Sequence, residues 1–146
     1  MYLDFTSSDF LAISYSCDTQ LLVGRWLRPV SPTEAQRGYN ELLTVAQQQQ
    51  ARYWLLDIRR RNCSAPETLY WLSNTYYNTV AAELGLPVCI VYFMSPSLCK
   101  DFEVNGTLPE PAAAGKPLRI NHCTTETEAM EWLQREQQQE HLLLSH

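Results

Sequence analysis

The chain has 146 residues, of which 45% are hydrophobic and 18% charged, and this composition predicts a globular domain rather than a disordered chain. Its formal net charge of −5 argues against nucleic acid as a partner, because phosphates require a basic surface. The sequence shows neither a basic start followed by an apolar stretch nor a run of about 18 apolar residues, so we expect no secretion signal and no membrane span.

The five cysteines are odd in number and spread along the chain without a C-x-x-C pair. They are Cys17, Cys63, Cys89, Cys99 and Cys123. Reduced thiols explain this distribution best, which predicts a cytoplasmic protein. His122 and Cys123 are neighbours on an extended segment and point to opposite faces, so we expect no metal site and no cofactor.

The first third of the chain has the pattern of a β-hairpin. Apolar and small residues alternate over residues 11–17, and a second strand over residues 21–27 follows a turn at Asp18 and Thr19. Residues 3–6 are the candidate for a short additional strand.

Three helix starts share a capping box, in which a Ser or Thr side chain and a Glu three residues later each accept from the other's backbone N–H. The pairs are Ser31 with Glu34, Ser64 with Glu67, and Thr125 with Glu128. Apolar residues at spacings of three and four follow each pair and predict three helices. Gly85 is placed to end the second helix in a left-handed conformation, and the glutamines from residue 137 predict a flexible tail over residues 137–146.

Two nearly continuous apolar runs lie between the helices, over residues 53–58 and 88–94. Strands that are covered on both faces have this pattern, so we expect adjacent central parallel strands. Residues 118–122 alternate more and predict an edge strand, while residues 95–117, rich in Pro, Gly and Ala, predict a long loop. The order of elements predicts a single α/β domain over residues 1–136, with a mixed, partly parallel sheet of about five strands and helices on both faces.

The loop after the first central strand holds the candidate binding site. In an open α/β sheet, ligands bind where the carboxyl ends of parallel strands meet. Here a cationic loop leads from a strand-ending Asp to a predicted helix start, where free N–H groups favour anions. The candidate residues for binding an anion or an acidic partner are Asp57, Arg59, Arg60, Arg61, Asn62 and Ser64. The alternative is a solvated loop in which one arginine pairs with Asp57 or Glu67.

Two residues of this region invite a catalytic interpretation. Receiver domains place their phosphoryl acceptor where Asp57 lies, but the acidic pair after the first strand and the later Lys that they need are missing from this sequence. Cys63 lies beside three arginines, an environment that favours the reactive thiolate, yet an ordinary thiol is the simpler interpretation. We therefore expect no catalytic residues and a non-enzymatic protein.

The second helix carries more aromatic residues than one buried stripe needs. They are Tyr70, Trp71, Tyr76 and Tyr77. Tyr76 belongs to the core stripe, whereas the other three fall partly outside it and suggest an interface; the alternative is a wide apolar face under the long loop. The apolar residues 142–144 leave a homodimer, docking on the chain's own core and disorder all open.

Several segments in succession carry a family resemblance. The strand-rich start, the strand LLDIR, the helix start Ser64-Ala65-Pro66-Glu67, the strand PVCIVYF and the last helix TETEAMEWL together resemble STAS-like, or SpoIIAA-like, domains over about residues 10–133. Members that antagonise anti-sigma factors carry a phosphorylatable Ser in an Asp-Ser pair before the second helix. That pair is missing here, and Ser64 is the nearest candidate for phosphorylation. The resemblance implies a regulatory or protein-interaction domain with a protein partner, without the usual phosphoswitch, or alternatively a domain that binds an apolar or anionic small molecule.

Overall fold

The computed structural model of the protein describes residues 2–62, 64–85, 87–104 and 118–144. These residues form a six-stranded sheet in which neighbouring strands are also consecutive in the chain. The strands are β1 (Tyr2–Asp4), β2 (Leu11–Ser16), β3 (Leu21–Trp26), β4 (Tyr53–Asp57), β5 (Val88–Phe93) and β6 (Leu118–Cys123). The helices are α1 (Pro32–Gln49), α2 (Pro66–Trp71), α3 (Tyr77–Leu84), α4 (Pro96–Val104) and α5 (Glu126–Leu144). The predicted α/β fold with a mixed, partly parallel sheet is confirmed, with one strand more than expected.

The direction of the strands changes once along the sheet. The pairs β1/β2 and β2/β3 are antiparallel, which confirms the predicted hairpin, and the strands from β3 to β6 are parallel. All residues of β4 and β5 are buried, as expected for central strands covered on both faces. β6 forms one edge of the sheet, also as predicted.

Helices cover both faces of the sheet, but unequally. Tyr39 of α1, Val80 of α3 and Phe102 of α4 belong to one core cluster, and Leu69 of α2 packs against it. The first four helices therefore share one face of the sheet. Right-handed crossovers between consecutive parallel strands place their helices on the same side, which explains this arrangement. On the other face, Trp132 and Leu133 of α5 pack on β3, β4 and β5.

One of the three predicted capping boxes is confirmed in full, and a second is confirmed in part. At α1, the Glu34 backbone N–H donates to Ser31 Oγ at 3.2 Å and the Ser31 N–H donates to the Glu34 carboxylate at 3.0 Å. At α5, the Glu128 N–H donates to Thr125 Oγ1 at 3.2 Å, but the Glu128 carboxylate accepts from the Thr125 hydroxyl at 3.0 Å rather than from the Thr125 backbone N–H.

The third predicted box, Ser64 with Glu67, is wrong. α2 begins at Pro66, and its N-cap residue Ala65 makes no side-chain capping bond. Proline suits the first helical position because its missing N–H would have no partner there, and this places the helix start after Ser64. The Ser64 hydroxyl accepts from Arg61 instead.

The second predicted helix contains a wide turn in its middle. A π-helical turn over Leu72–Tyr76 separates α2 from α3. Gly85 follows α3 with a φ of 68°, which confirms the predicted left-handed end. The π turn adds a residue to the helix, and the consecutive residues Tyr76 and Tyr77 both bond to groups on neighbouring elements.

Two segments expected to lack regular structure are helical. The predicted loop at residues 95–117 begins with α4, whose Leu98 N–H donates to Ser95 Oγ at 3.1 Å, while residues 105–117 lie outside the described part. Here Pro96 marks the first turn of a helix rather than a loop. The expected tail from residue 137 continues α5 up to residue 144. None of the helices in the described residues is long and apolar enough to cross a membrane.

Candidate functional site

Asp57 lies at the carboxyl end of β4 and is held by two arginines. Arg25, its register partner on β3, donates to Oδ2 at 2.9 Å. Arg59 donates from its guanidinium to both carboxylate oxygens, at 3.0 and 2.8 Å, and from its backbone N–H at 3.1 Å. Burial by itself raises the pKa of Asp57, but the hydrogen bonds from Arg59 and Arg25 outweigh it and hold this pKa below 3.8. Asp57 is therefore an ionised anchor for the arginine loop.

The two arginines around Asp57 have further partners. Arg25 also bonds to Glu126 at 2.7 Å, which links β3 to the first turn of α5. The Arg59 guanidinium lies 4.3 Å from the centre of the Phe93 ring at the end of β5. This arrangement ties the carboxyl ends of three neighbouring strands together.

Arg60 occupies the tip of the loop. The Arg61 N–H donates to the carbonyl of Ile58 at 3.1 Å, so Arg59 and Arg60 are the central residues of a turn. Arg60 is exposed and makes no ion pair with any of the described residues. Arg59 is exposed as well, but it is paired with Asp57.

Arg61 is buried, with only 7% of its surface exposed. Its guanidinium donates to Tyr39 Oη at 3.3 Å and to Ser64 Oγ at 2.9 Å, and it lies 4.5 Å from the Trp26 ring centre. Within the described ranges its Nε–H has no acceptor, and no carboxylate lies within ion-pair distance. Burial of a charge that lacks a counterion costs several kcal/mol, of which the contact with Trp26 offsets about 2 kcal/mol.

The remaining predicted site residues have structural contacts. Asn62 Oδ1 accepts from the Val30 N–H at 3.1 Å, which fixes the loop to the segment before α1. Ser64 is half-buried beside Arg61. Cys63, the candidate reactive thiol, lies outside the described residues.

Three tyrosines that the sequence analysis did not assign to the site lie next to Arg61. Tyr92 Oη of β5 is 3.3 Å from Tyr39 Oη of α1 and 2.6 Å from Tyr77 Oη of α3. Burial raises the pKa of Tyr77 and Tyr92, so both hydroxyls are protonated at neutral pH. The sequence offers one signal for this cluster. Tyr92 lies inside the otherwise apolar run over residues 88–94, and a buried hydroxyl needs a hydrogen-bond partner.

Arg61 and these hydroxyls line a cavity of about 40 Å³. A single water needs roughly 10 to 15 Å³ by the same measure, so the cavity holds roughly three waters. Its polar lining consists of Tyr39, Arg61, Ser64, Tyr77 and Tyr92, and the rest is apolar. The structure thus brings Arg61 and Ser64 together at a cavity, and leaves Asp57 with Arg59 in a separate ion-pair network.

Comparison of the chain with models of known protein families, with curated proteins and with solved structures finds no match.

Proposed function

We propose that this chain is a non-enzymatic regulatory domain of STAS-like type that acts in the cytoplasm and binds an acidic protein partner through Arg60. The observation that carries this proposal is the different environment of the three consecutive arginines. Arg59 is engaged by Asp57 and Arg61 is buried, whereas Arg60 is exposed at the turn without an ion-pair partner among the described residues.

The groups that surround Arg60 support a binding role. The Asp57 carboxylate already accepts from Arg25 and Arg59, so it is engaged in holding the loop in place. An exposed cation on a fixed turn attracts a negatively charged surface. This local positive charge contrasts with the net charge of −5 of the whole chain.

The neighbouring helix offers apolar surface for the same partner. Tyr70 of α2 is 72% exposed, the highest value among the large hydrophobic residues described. Exposed tyrosine and arginine are both enriched in protein interfaces. Four described cysteines are free thiols, which supports the assignment to a reducing compartment.

The experiment is affinity capture from lysate with the wild-type chain and two charge-reversal variants, Arg60→Glu and Arg135→Glu. Arg135 is an exposed arginine of α5, so its variant has the same change in net charge at a distant place. We expect a protein that wild type and Arg135→Glu retain equally, and that Arg60→Glu retains about fivefold less or not at all. Binding should also weaken with added salt, because salt screens the attraction between an exposed charge and its partner.

Single variants are essential here, because substitution of all three arginines would also remove the anchor on Asp57 and the buried guanidinium. A Tyr70→Ser variant tests the apolar part of the surface in the same assay. If all variants retain the same proteins in the same amounts, the proposed surface is wrong.

A further inference from the structure

We propose that Arg61 and the tyrosine hydroxyls beside it form a binding site for a small organic monoanion whose charged group is a carboxylate. This inference does not depend on the proposed protein partner, since it concerns the buried Arg61 rather than the exposed Arg60.

The first reason is the charge of the site. The Arg61 guanidinium is buried against Trp26 and its two side-chain hydrogen bonds go to neutral hydroxyls. Among the described residues it has no carboxylate partner. Buried arginines in proteins are normally paired with an anion, and a bound carboxylate would supply that anion.

The second reason is the number of donors. Tyr39, Tyr77 and Tyr92 carry three hydroxyl protons, and the two contacts between their oxygens use two of them. The Nε–H of Arg61 has no acceptor in the described part of the chain. Of the five N–H groups of the Arg61 guanidinium, two donate to Tyr39 and Ser64. One hydroxyl proton and three guanidinium N–H groups, the Nε–H among them, are therefore not used by the hydrogen bonds of the described residues, and a carboxylate offers two oxygens for them.

The third reason is the size and the lining of the cavity. Its volume of about 40 Å³ corresponds to roughly three waters, which is close to the size of acetate or propionate. Besides the polar groups, the cavity is lined by apolar side chains, among them Leu72, Met94 and Phe102. This lining suits a short alkyl group attached to the carboxylate.

Inorganic phosphate fits the same cavity less well. At neutral pH it carries between one and two negative charges, and Arg61 is the single cation in the described lining. A dianion would keep an uncompensated charge in an apolar surrounding, which is unfavourable.

The test is thermal unfolding of the purified chain at neutral pH in sodium chloride, acetate, propionate and phosphate, all at the same ionic strength. A ligand that binds the native state raises Tm, so acetate and propionate should raise it above the value in chloride, and the rise should grow with the logarithm of their concentration once this exceeds Kd. Isothermal titration of the better carboxylate then gives its Kd.

Three variants identify the site. Arg61→Met keeps the length of the side chain and should weaken binding about 10- to 100-fold, because it removes charge-assisted hydrogen bonds. Tyr77→Phe keeps the ring and should weaken binding about 3- to 10-fold, so the test remains decisive even if Arg61→Met does not fold. Arg135→Met, a control at an exposed arginine of α5, should bind like wild type.

Equal Tm values in all four salts would overturn the proposal. A carboxylate response that Arg61→Met and Tyr77→Phe both retain in full would overturn it as well. A larger response to phosphate than to either carboxylate would contradict the assignment to a monocarboxylate.

Discussion

At the residue scale, the three arginines of the loop after β4 show how position within one turn decides which contacts identical side chains make. The Asp57 carboxylate accepts the N–H of Arg59, and the carbonyl of Ile58 accepts that of Arg61. An Asp that bonds to the backbone two residues later commonly starts a tight turn. Arg59 therefore folds back onto Asp57, Arg60 lies at the tip and Arg61 enters the core.

The ion pairs of Asp57 lead to a prediction about pH. A carboxyl whose pKa is lower in the folded chain stabilises the fold fully above its unfolded pKa, and that contribution is lost as the pH falls through the folded pKa. Because the pKa of Asp57 is held below 3.8, wild type should be more stable than Asp57→Asn at neutral pH. The difference should shrink once the pH falls below about 4.

Thermal unfolding of both proteins between neutral and acidic pH checks this expectation. Asp101→Asn is a suitable control, since Asp101 is exposed and forms no ion pair within the described residues. A difference between wild type and Asp57→Asn that stays constant over the whole pH range would show that the ion pairs of Asp57 do not stabilise the fold.

At the element scale, the start of α1 combines several local devices. Arg28 donates to the Glu34 carboxylate at 2.8 Å, and this bond together with the capping bond from Ser31 lowers the pKa of Glu34 to about 2. Pro32 occupies the first helical position. These contacts lie within a few residues of one another, which is why the sequence pattern predicts this helix start well.

The middle of α1 depends instead on a distant contact. A Cβ atom on Gly38 would lie 2.5 Å from the Trp26 ring and 3.1 Å from Leu11. Alanine normally stabilises a helix interior by about 1 kcal/mol relative to glycine. The close approach of α1 to the sheet therefore explains the glycine at this position. We expect Gly38→Ala to lower the free energy of unfolding by about 1 to 3 kcal/mol, because it overpacks the core.

Urea denaturation measures this effect. Thr44→Ala is the control, since Thr44 lies on the exposed side of the same helix and its hydroxyl donates to the carbonyl of Asn40. It should be neutral or slightly stabilising. A Gly38→Ala protein more stable than wild type would mean that helix propensity outweighs the contact with Trp26.

The π turn between α2 and α3 is a second feature of element scale. Helical spacing alone places Tyr77 partly outside the buried stripe, whereas the structure brings its hydroxyl to Tyr92. Single-turn π-helices occur often at functional sites, and this one supplies a hydroxyl to the cavity of Arg61.

At the scale of the whole molecule, α5 alone covers the second face of the sheet among the described helices. Its far end is anchored, because Glu140 bonds to both Arg52 and Tyr53, and Gln137 donates to the carbonyl of Thr19 at 2.8 Å. Arg119 of the edge strand β6 bonds to Glu136 of the same helix. The segment expected to be a flexible tail therefore fastens α5 to the sheet.

A pair of truncations tests this role. Removal of residues 137–146 should lower the free energy of unfolding by about 1 to 3 kcal/mol, since Arg52 loses its carboxylate and Tyr53 its hydrogen bond. Removal of residues 142–146 keeps Glu140 and should cost much less. Urea unfolding midpoints measure both, and equal midpoints for the two truncations would show that the end of α5 is dispensable.

Much of the fold follows from the sequence by itself, for local reasons. The capping box of α1, the Thr125 cap of α5, the left-handed end at Gly85 and the two buried strands β4 and β5 depend on neighbouring residues or on short apolar runs. Each of these patterns involves residues that are only a few positions apart in the chain. The order of elements and the partly parallel sheet could therefore be predicted.

Only the tertiary structure decided what the arginine loop does. Arg25 and Asp57 become partners because β3 and β4 pair in that register, and Tyr39 and Tyr92 meet beside Arg61 because both belong to the core cluster on one face of the sheet. These contacts join residues more than 20 positions apart, and they depend on how the elements pack. The sequence thus determined that an arginine loop follows β4, while packing decided that one arginine holds Asp57, one faces solvent and one lines a cavity.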